Sequence, residues 1–139
     1  SAAPALVVPH PLQRETVGER ALVAWNGSVQ AARALKAALP LLQRAAAVHV
    51  ASWSSRAPAA PFSGLDVGQW LRRHGIDARA SAHAPVGHVE EALRAEVERH
   101  RCDLVVMGCY GHSRIREQVF GGVTRALLAR PPAAVLMAH

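Results

Sequence analysis

Cysteine, lysine and aromatic residues are scarce in this chain of 139 residues, which is long enough for one well-buried core. Two cysteines, Cys102 and Cys109, are too few for a disulfide scaffold and do not match the usual zinc-binding pairs, so we expect reduced thiols. No apolar run approaches the length of a membrane span, and the first residues lack a signal-peptide pattern. We therefore expect a cytoplasmic protein that does not contact membranes.

Positive charge is in excess, with a formal net charge of +6, but its distribution does not favour nucleic acid. Nearly all of it is arginine, since Lys36 is the only lysine. No basic run alternates with aromatic side chains, so the stacking platform that single strands need is missing. Most arginines alternate with Glu and Ala at helical spacing, which indicates solvated helix faces. We expect no nucleic-acid partner, although a small anion such as a nucleotide would be attracted.

Short apolar runs alternate with segments of helical periodicity along the chain. The apolar runs predict strands at 21–25, 48–53, 76–83, 103–107 and 133–138. The periodic segments predict helices at 29–42, 65–74, 87–100 and 122–130. Because the connections are too long for hairpins, the pattern predicts an α/β fold with a parallel sheet and helices on both faces. Such sheets bind ligands beyond the carboxyl ends of their strands, where strand order reverses.

Residues 1–19 precede this pattern, and the domain itself is predicted at residues 20–139. Within the first segment, Pro4 to Val8 repeats the pattern of the closing strand, Pro132 to Leu136. We interpret Pro4 to Val8 as the last strand of a preceding copy, attached by a linker. An ordinary edge strand or a frayed terminus is the alternative. We expect this strand to pair with the edge formed by the last strand, of its own or a partner chain.

A glycine-rich loop follows the fourth strand of the predicted sheet. The candidate phosphate-binding residues in and after it are Gly108, Gly111, Gly121, Gly122, Val123 and Thr124. Positive φ at Gly108 and Gly111 would let main-chain N–H groups converge on an anion. A helix beginning at Gly122 would add free N–H groups and the positive end of its dipole. The glycine spacing matches neither a Walker loop nor a dinucleotide GxGxxG turn.

This loop resembles the ATP-binding motif of the universal stress protein family, G-x2-G-x9-G followed by Ser or Thr. Leu22 to Ser28 is similar to the family's opening strand and D-G-S turn, and Asp103 to Gly108 to its D-L-I-V-M-G strand. Residues 121–137 are similar to its closing helix and strand. The start of the chain and the amino-acid sequence of the loop, Gly108 to Arg114, particularly resemble the C-terminal half of a tandem, two-domain member.

The resemblance implies a Rossmann-like fold of the adenine nucleotide α-hydrolase type, with five parallel strands in the order 3-2-1-4-5 plus the extra N-terminal strand. It implies ATP as the ligand, with Mg²⁺ as an optional companion ion, and pairing through the last strand with a second copy, in a homodimer or a tandem repeat. The phosphates would meet the candidate phosphate-binding residues. Ribose and base would lie at the ends of the first two strands, near Trp25, Asn26, Gly27 and Trp53.

Three positions depart from the family pattern. Asn26 stands where ATP binders usually have Asp, Gly122 replaces the usual Ser or Thr, and Trp53 replaces a smaller apolar residue. The missing acidic group argues against metal-assisted hydrolysis, so no catalytic residue is predicted and any ATPase activity would be slow. Our main hypothesis is a stress-response module that binds an adenine nucleotide. The alternative is a dimerisation or interaction domain that binds none.

The histidines raise the question of a metal site. They are His10, His49, His74, His83, His88, His100, His112 and His139. No two histidines have the i,i+4 or i,i+2 spacing that places two ligands together on a helix or a strand, so no metal site is predicted. Cys109 lies in the glycine loop before a predicted helix N-terminus. A lowered pKa is one hypothesis for this thiol, and a small loop filler is the other.

Overall fold

The computed structural model describes residues 3–10, 15–53, 62, 65–84, 87–109 and 118–139, with only the backbone of residues 118–121. These residues form, in chain order, β1 (Ala5–Val7), β2 (Arg20–Trp25), α1 (Val29–Arg44), β3 (Ala47–Trp53), α2 (Val67–Arg73), β4 (Ala78–His83), α3 (Val89–His100), β5 (Leu104–Gly108), α4 (Gln118–Ala129) and β6 (Ala134–Ala138). From β2 onward strand and helix alternate, as the periodicity predicts.

The six strands of the described chain form one sheet in the order β1-β6-β5-β2-β3-β4. The five strands from β2 to β6 are parallel. Numbered from β2, they follow the order 3-2-1-4-5, which confirms the predicted Rossmann-like arrangement. β2 and β5 are neighbours, but β2 leads through α1 to β3 on one side, whereas β5 leads through α4 to β6 on the other. Strand order therefore reverses between β2 and β5, the position at which such sheets bind ligands.

The N-terminal strand β1 pairs antiparallel with β6, with Ala5 opposite Met137 and Val7 opposite Val135. This confirms the predicted pairing with the last strand, within the same chain. Val7 and Val135 are also equivalent positions in the sequence repeat, so equivalent residues face each other across a local two-fold axis. The origin of β1 in a preceding copy of the domain stays a prediction.

Two apolar layers cover the sheet because successive strand residues point to opposite faces. On β2, Val23 packs in the layer under α1 and α2, which also holds Leu42. The neighbouring Leu22 packs in the layer under α3 and α4, which holds Leu127. Among the residues that the structure describes, no helix has the length and apolar character needed to cross a membrane.

Helix α4 begins at Gln118, four residues before its predicted start at Gly122. Only the first four N–H groups of a helix lack an internal partner, so the free N–H groups of α4 precede Gly122. The prediction placed the end of the loop at Gly121 and the first residue of the helix at Gly122. The sequence spacing of Val119, Val123 and Leu127 instead continues the helix through both glycines, because glycine in a helix costs only about 1 kcal/mol relative to alanine.

Candidate functional site

The carboxyl end of β2 runs directly into a tight turn at residues 26–28. Gly27 has a φ of +75°, in the left-handed region that favours glycine. The side-chain oxygen of Asn26 accepts a hydrogen bond from the Ser28 backbone N–H at 3.1 Å. The Ser28 hydroxyl in turn accepts from the N–H of Ala31 at 3.0 Å and caps α1. The positive end of the α1 dipole therefore lies where strand order reverses.

Gly108 ends β5 and packs against the first turn of α1. A Cβ atom at position 108 would lie 2.6 Å from the backbone nitrogen of Ala31 and 2.8 Å from the Cβ of Gln30. Its φ is not positive, so the predicted positive φ at Gly108 is wrong. Glycine is needed there because the end of β5 and the backbone of α1 approach too closely for any side chain. This approach brings the start of the glycine loop to the N-terminus of α1.

The other candidate phosphate-binding residues divide between α4 and the loop. Gly122 is exposed on α4, and a Cβ there would meet no atom of the described residues within 4 Å. Val123 and Thr124, the next two residues of α4, are buried. Gly121 lies within the backbone of α4, and Gly111 lies outside the described residues. That these groups converge on one anion stays a prediction.

Two tryptophans mark the carboxyl ends of β2 and β3, and both indoles are buried. Trp25, 6% exposed, packs in the layer under α1 and α2. Trp53, 8% exposed, packs in the opposite layer and stacks on the imidazole of His83, with ring centroids 5.2 Å apart. The Phe62 N–H donates to the carbonyl of Gly27 at 2.8 Å, which brings the chain after β3 back to the turn after β2. A base bound here would therefore contact backbone rather than an indole face.

The thiol of Cys109, the residue after β5, is protonated at neutral pH. Its backbone N–H donates to the carbonyl of Ala138 at 2.8 Å, and its side chain packs against the layer under α3 and α4. Burial raises the pKa of the Cys109 thiol, which contradicts the hypothesis of a lowered pKa. A protonated thiol is a poor nucleophile, so the packing interpretation is the better one.

A second polar group of residues, which the sequence did not predict, lies between α3 and the strands β3 and β4. We call His49, His83, Glu96 and His100 the histidine–glutamate cluster. The Nε2 atoms of its histidines lie 3.7, 3.4 and 3.4 Å from one carboxylate oxygen, Oε1 of Glu96. The rings of His49 and His100 stack with centroids 3.8 Å apart. Burial, together with the nearby His100, lowers the pKa of His49 although Glu96 acts to raise it.

The spacing argument missed this cluster because it considered pairs of histidines alone. Glu96 and His100 form a mixed pair at i,i+4 on α3, a spacing that places both on one helix face. His49 and His83 come from separate strands, and only the pairing of β3 with β4 brings them near each other. The Glu96–His100 pair could therefore have been found from the sequence. The approach of His49 and His83 could not, because it depends on tertiary structure.

Comparison with known proteins points to one family. Residues 19–139 match the model of the universal stress protein family. A universal stress protein of Synechocystis is 45% identical over 51 residues, which are 37% of this chain and 18% of that protein.

Solved structures share the fold. A universal stress protein from Archaeoglobus fulgidus superposes with a TM-score of 0.69 at 22% identity, covering 96% of this chain and 48% of that one. A universal stress protein in complex with cAMP superposes with a TM-score of 0.64 at 22% identity, covering 87% of this chain and 96% of that one. The matched regions span less than half of the Synechocystis and Archaeoglobus chains.

Proposed function

Because the chain belongs to the universal stress protein family, we propose that it binds an adenine nucleotide at the carboxyl ends of β2 and β5 and acts as a regulatory module in stress responses. The observation that carries this proposal is the reversal of strand order between these strands, with Gly108 packed on the first turn of α1. A relative with the same fold, solved with cAMP, supports an adenine nucleotide as the ligand class.

In this proposal ATP is the preferred nucleotide, and backbone groups provide most of its contacts. The phosphates lie between the N-terminus of α1 and the glycine loop, where dipole ends and N–H groups favour negative charge. The ribose lies over the turn at Asn26 and Gly27. The base lies at the end of β3. It contacts the backbone of Trp53, because the Trp53 indole is packed in the core.

Asn26 makes the proposed binding largely independent of magnesium. Its side-chain oxygen already accepts the Ser28 N–H, and the amide carries no charge to attract a hard cation. We therefore expect ATP to bind equally well in EDTA, with turnover absent or slow. The Asn26→Asp variant keeps the acceptor for Ser28 and restores a carboxylate. It should make ATP binding stronger with Mg²⁺ than with EDTA.

Substitutions at Gly122 test the location of the phosphates. Alanine fits there, since a Cβ meets no described atom within 4 Å, and aspartate adds a carboxylate to the same Cβ. We expect Gly122→Ala to bind ATP like the parent chain, and Gly122→Asp to lose at least about tenfold in affinity through repulsion, or about 1.4 kcal/mol. Isothermal titration calorimetry with ATP and cAMP measures both, and thermal unfolding confirms that each variant is folded.

Nucleotide binding would be contradicted if millimolar ATP or cAMP left the thermal unfolding midpoint of the chain unchanged. A ligand at 100 times its dissociation constant stabilises the folded state by about 2.7 kcal/mol. Equal ATP affinities for Gly122→Ala and Gly122→Asp would contradict the phosphate position while leaving the ligand class intact.

An interaction domain without nucleotide is the second candidate function. Two apolar residues support it: Leu6 in β1 is 47% exposed and the adjacent Val8 is 46% exposed. β1 already occupies the outer edge of β6, so a second copy could reach the last strand only by displacing β1. Nucleotide titration distinguishes the two candidates, since this second function predicts no thermal shift.

A further inference from the structure

We propose that His49, Glu96 and His100 form a binding site for Zn²⁺. The three ligand atoms all lie within 4.8 Å of one another, although the residues come from two elements. α3 carries Glu96 and His100 one turn apart, and β3 carries His49 beneath them. The site is separate from the proposed nucleotide position and does not depend on it.

The distances within the cluster suit a metal better than direct hydrogen bonds. The Nε2 atoms of His49 and His100 lie 3.7 and 3.4 Å from Oε1 of Glu96. N–H···O hydrogen bonds have donor–acceptor distances of about 2.7 to 3.2 Å. Two ligands bound to one tetrahedral zinc ion, each about 2.0 to 2.1 Å from it, are about 3.3 to 3.4 Å apart. To accept zinc, the His49–Glu96 separation shortens slightly, and the stacked rings of His49 and His100 tilt so that both Nε2 atoms point at the ion.

The burial of Glu96 also favours a positively charged or hydrogen-bonding partner at each carboxylate oxygen. The residue is 3% exposed, and a buried carboxylate is stable only when charged or hydrogen-bonding groups compensate it. Arg99 lies on the far side, with its Nε 3.5 Å from Oε2, and its side chain is 66% exposed. Arg99 thus orients Oε2, as the outer partners of metal-binding carboxylates do, and leaves Oε1 directed at the histidines.

Ser81 shows that two imidazole nitrogens point into the same space. Its hydroxyl oxygen lies 2.8 Å from Nε2 of His49 and 3.1 Å from Nε2 of His83. Zinc binding replaces the Ser81 contact of His49. His83, with its Nε2 3.4 Å from Oε1 of Glu96, is the candidate for the fourth position.

Imidazole and carboxylate donors in a tetrahedral arrangement favour Zn²⁺ over Mg²⁺ or Ca²⁺, which prefer oxygen ligands at higher coordination number. The ion can enter from solvent, because the side chains of His49 and His100 are 15% and 27% exposed. The competing explanation is that the histidines and Arg99 contact Glu96 directly, with no metal involved.

Titration of the EDTA-treated, dialysed chain with ZnCl₂ in a calorimeter tests the site. We expect saturable binding of one equivalent in the parent chain. Glu96→Gln, which keeps the size of the side chain, and His49→Ala should each weaken binding at least about tenfold, the loss that even outer-shell changes cause. His74→Ala is the matched control, because His74 is exposed and lies outside the cluster, and it should bind like the parent chain.

Cobalt provides a second, spectroscopic measurement that reports on the coordination geometry itself. Co²⁺ bound in place of zinc should give the intense visible absorption of tetrahedral coordination in the parent chain and in His74→Ala, and not in Glu96→Gln. Circular dichroism checks that each variant is folded. Absence of saturable Zn²⁺ binding in the folded parent chain would overturn the proposal, as would equal affinity in a folded Glu96→Gln variant.

Discussion

At the scale of single residues, Asp103 joins the segment before β2 to the start of β5. Its carboxylate accepts hydrogen bonds from the Thr16 hydroxyl and from the backbone N–H groups of Gly18, Glu19 and Arg20. Burial by itself raises the pKa of Asp103, but these four hydrogen bonds outweigh burial and hold the pKa below its ordinary value. The charged form is therefore the one that stabilises the fold.

Asp103→Asn should destabilise the domain by about 2 to 3 kcal/mol, because the amide loses charge-assisted acceptance and presents its own N–H groups to N–H donors. In the parent chain the stabilisation is complete above the unfolded-state pKa of about 4 and is lost as pH falls through the lower folded-state pKa. Urea unfolding at several pH values measures both effects. A variant with the parent's stability at neutral pH, or with the parent's loss of stability in acid, would contradict this assignment.

Gly108 illustrates how far a sequence predicts the role of a residue. The motif correctly marks it as a position where glycine matters. The reason differs from the predicted one, since the neighbouring backbone of α1 excludes a Cβ while φ is not positive. A sequence does not reveal such an approach, because the two backbone segments are about 80 residues apart and meet only in the folded sheet.

At the scale of elements, α1 contains a proline in its interior. Pro40 lies within the helix from Val29 to Arg44, where it has no N–H to donate to the carbonyl of Lys36. Pro40 is exposed, so its ring contributes little to the core. The helix continues through it because Leu35 and Leu42 are buried on the inner face, and their packing holds both halves of α1 against the sheet.

Pro40→Ala should stabilise the domain by about 1 to 3 kcal/mol, since it restores a helix hydrogen bond and removes the clash of the ring with the preceding turn. The thermal midpoint should rise by at least about 3 °C. Differential scanning calorimetry measures the change, with Lys36→Ala, an exposed substitution on the same helix, as the control. An unchanged or lower midpoint for Pro40→Ala would contradict the expected cost of the proline.

Periodicity predicts elements well and their ends poorly. The alternation of apolar runs and helical segments was sufficient to predict parallel strands joined by right-handed helical crossovers. The strand order 3-2-1-4-5 came from the resemblance to the universal stress protein family. The predicted start of α4 was wrong because the glycines were treated as a helix boundary. The helical spacing of apolar residues continues on both sides of them. The histidine–glutamate cluster was missed because half of it depends on strand pairing, which no local period encodes.

At the scale of the whole molecule, β1 protects the outer edge of the sheet. β6 is apolar and fully buried along its length, from Ala134 to Ala138. An uncovered strand of this kind offers unpaired N–H and carbonyl groups to another chain. Through its antiparallel pairing, β1 satisfies part of this edge within one molecule.

Deletion of residues 1–12 should therefore make the chain self-associate through the exposed β6 edge and lower its thermal midpoint. Sedimentation velocity over a range of concentrations measures the association. Leu6→Lys is the matched control, because it changes an exposed residue of β1 and keeps the strand, so it should sediment like the parent chain. If the truncated chain kept the association state and midpoint of the parent chain, β1 would be a dispensable terminus.

The direction of β1 also determines how two such domains could communicate. A neighbouring copy that used β1 as its own last strand would have every parallel strand reversed, so the carboxyl ends of its strands would face the opposite end of the joint sheet. Two nucleotides could then never share a pocket or touch each other. Cooperativity between the two nucleotides would then have to be transmitted through the paired strands at Val7 and Val135, as a change in the angle between the two domains.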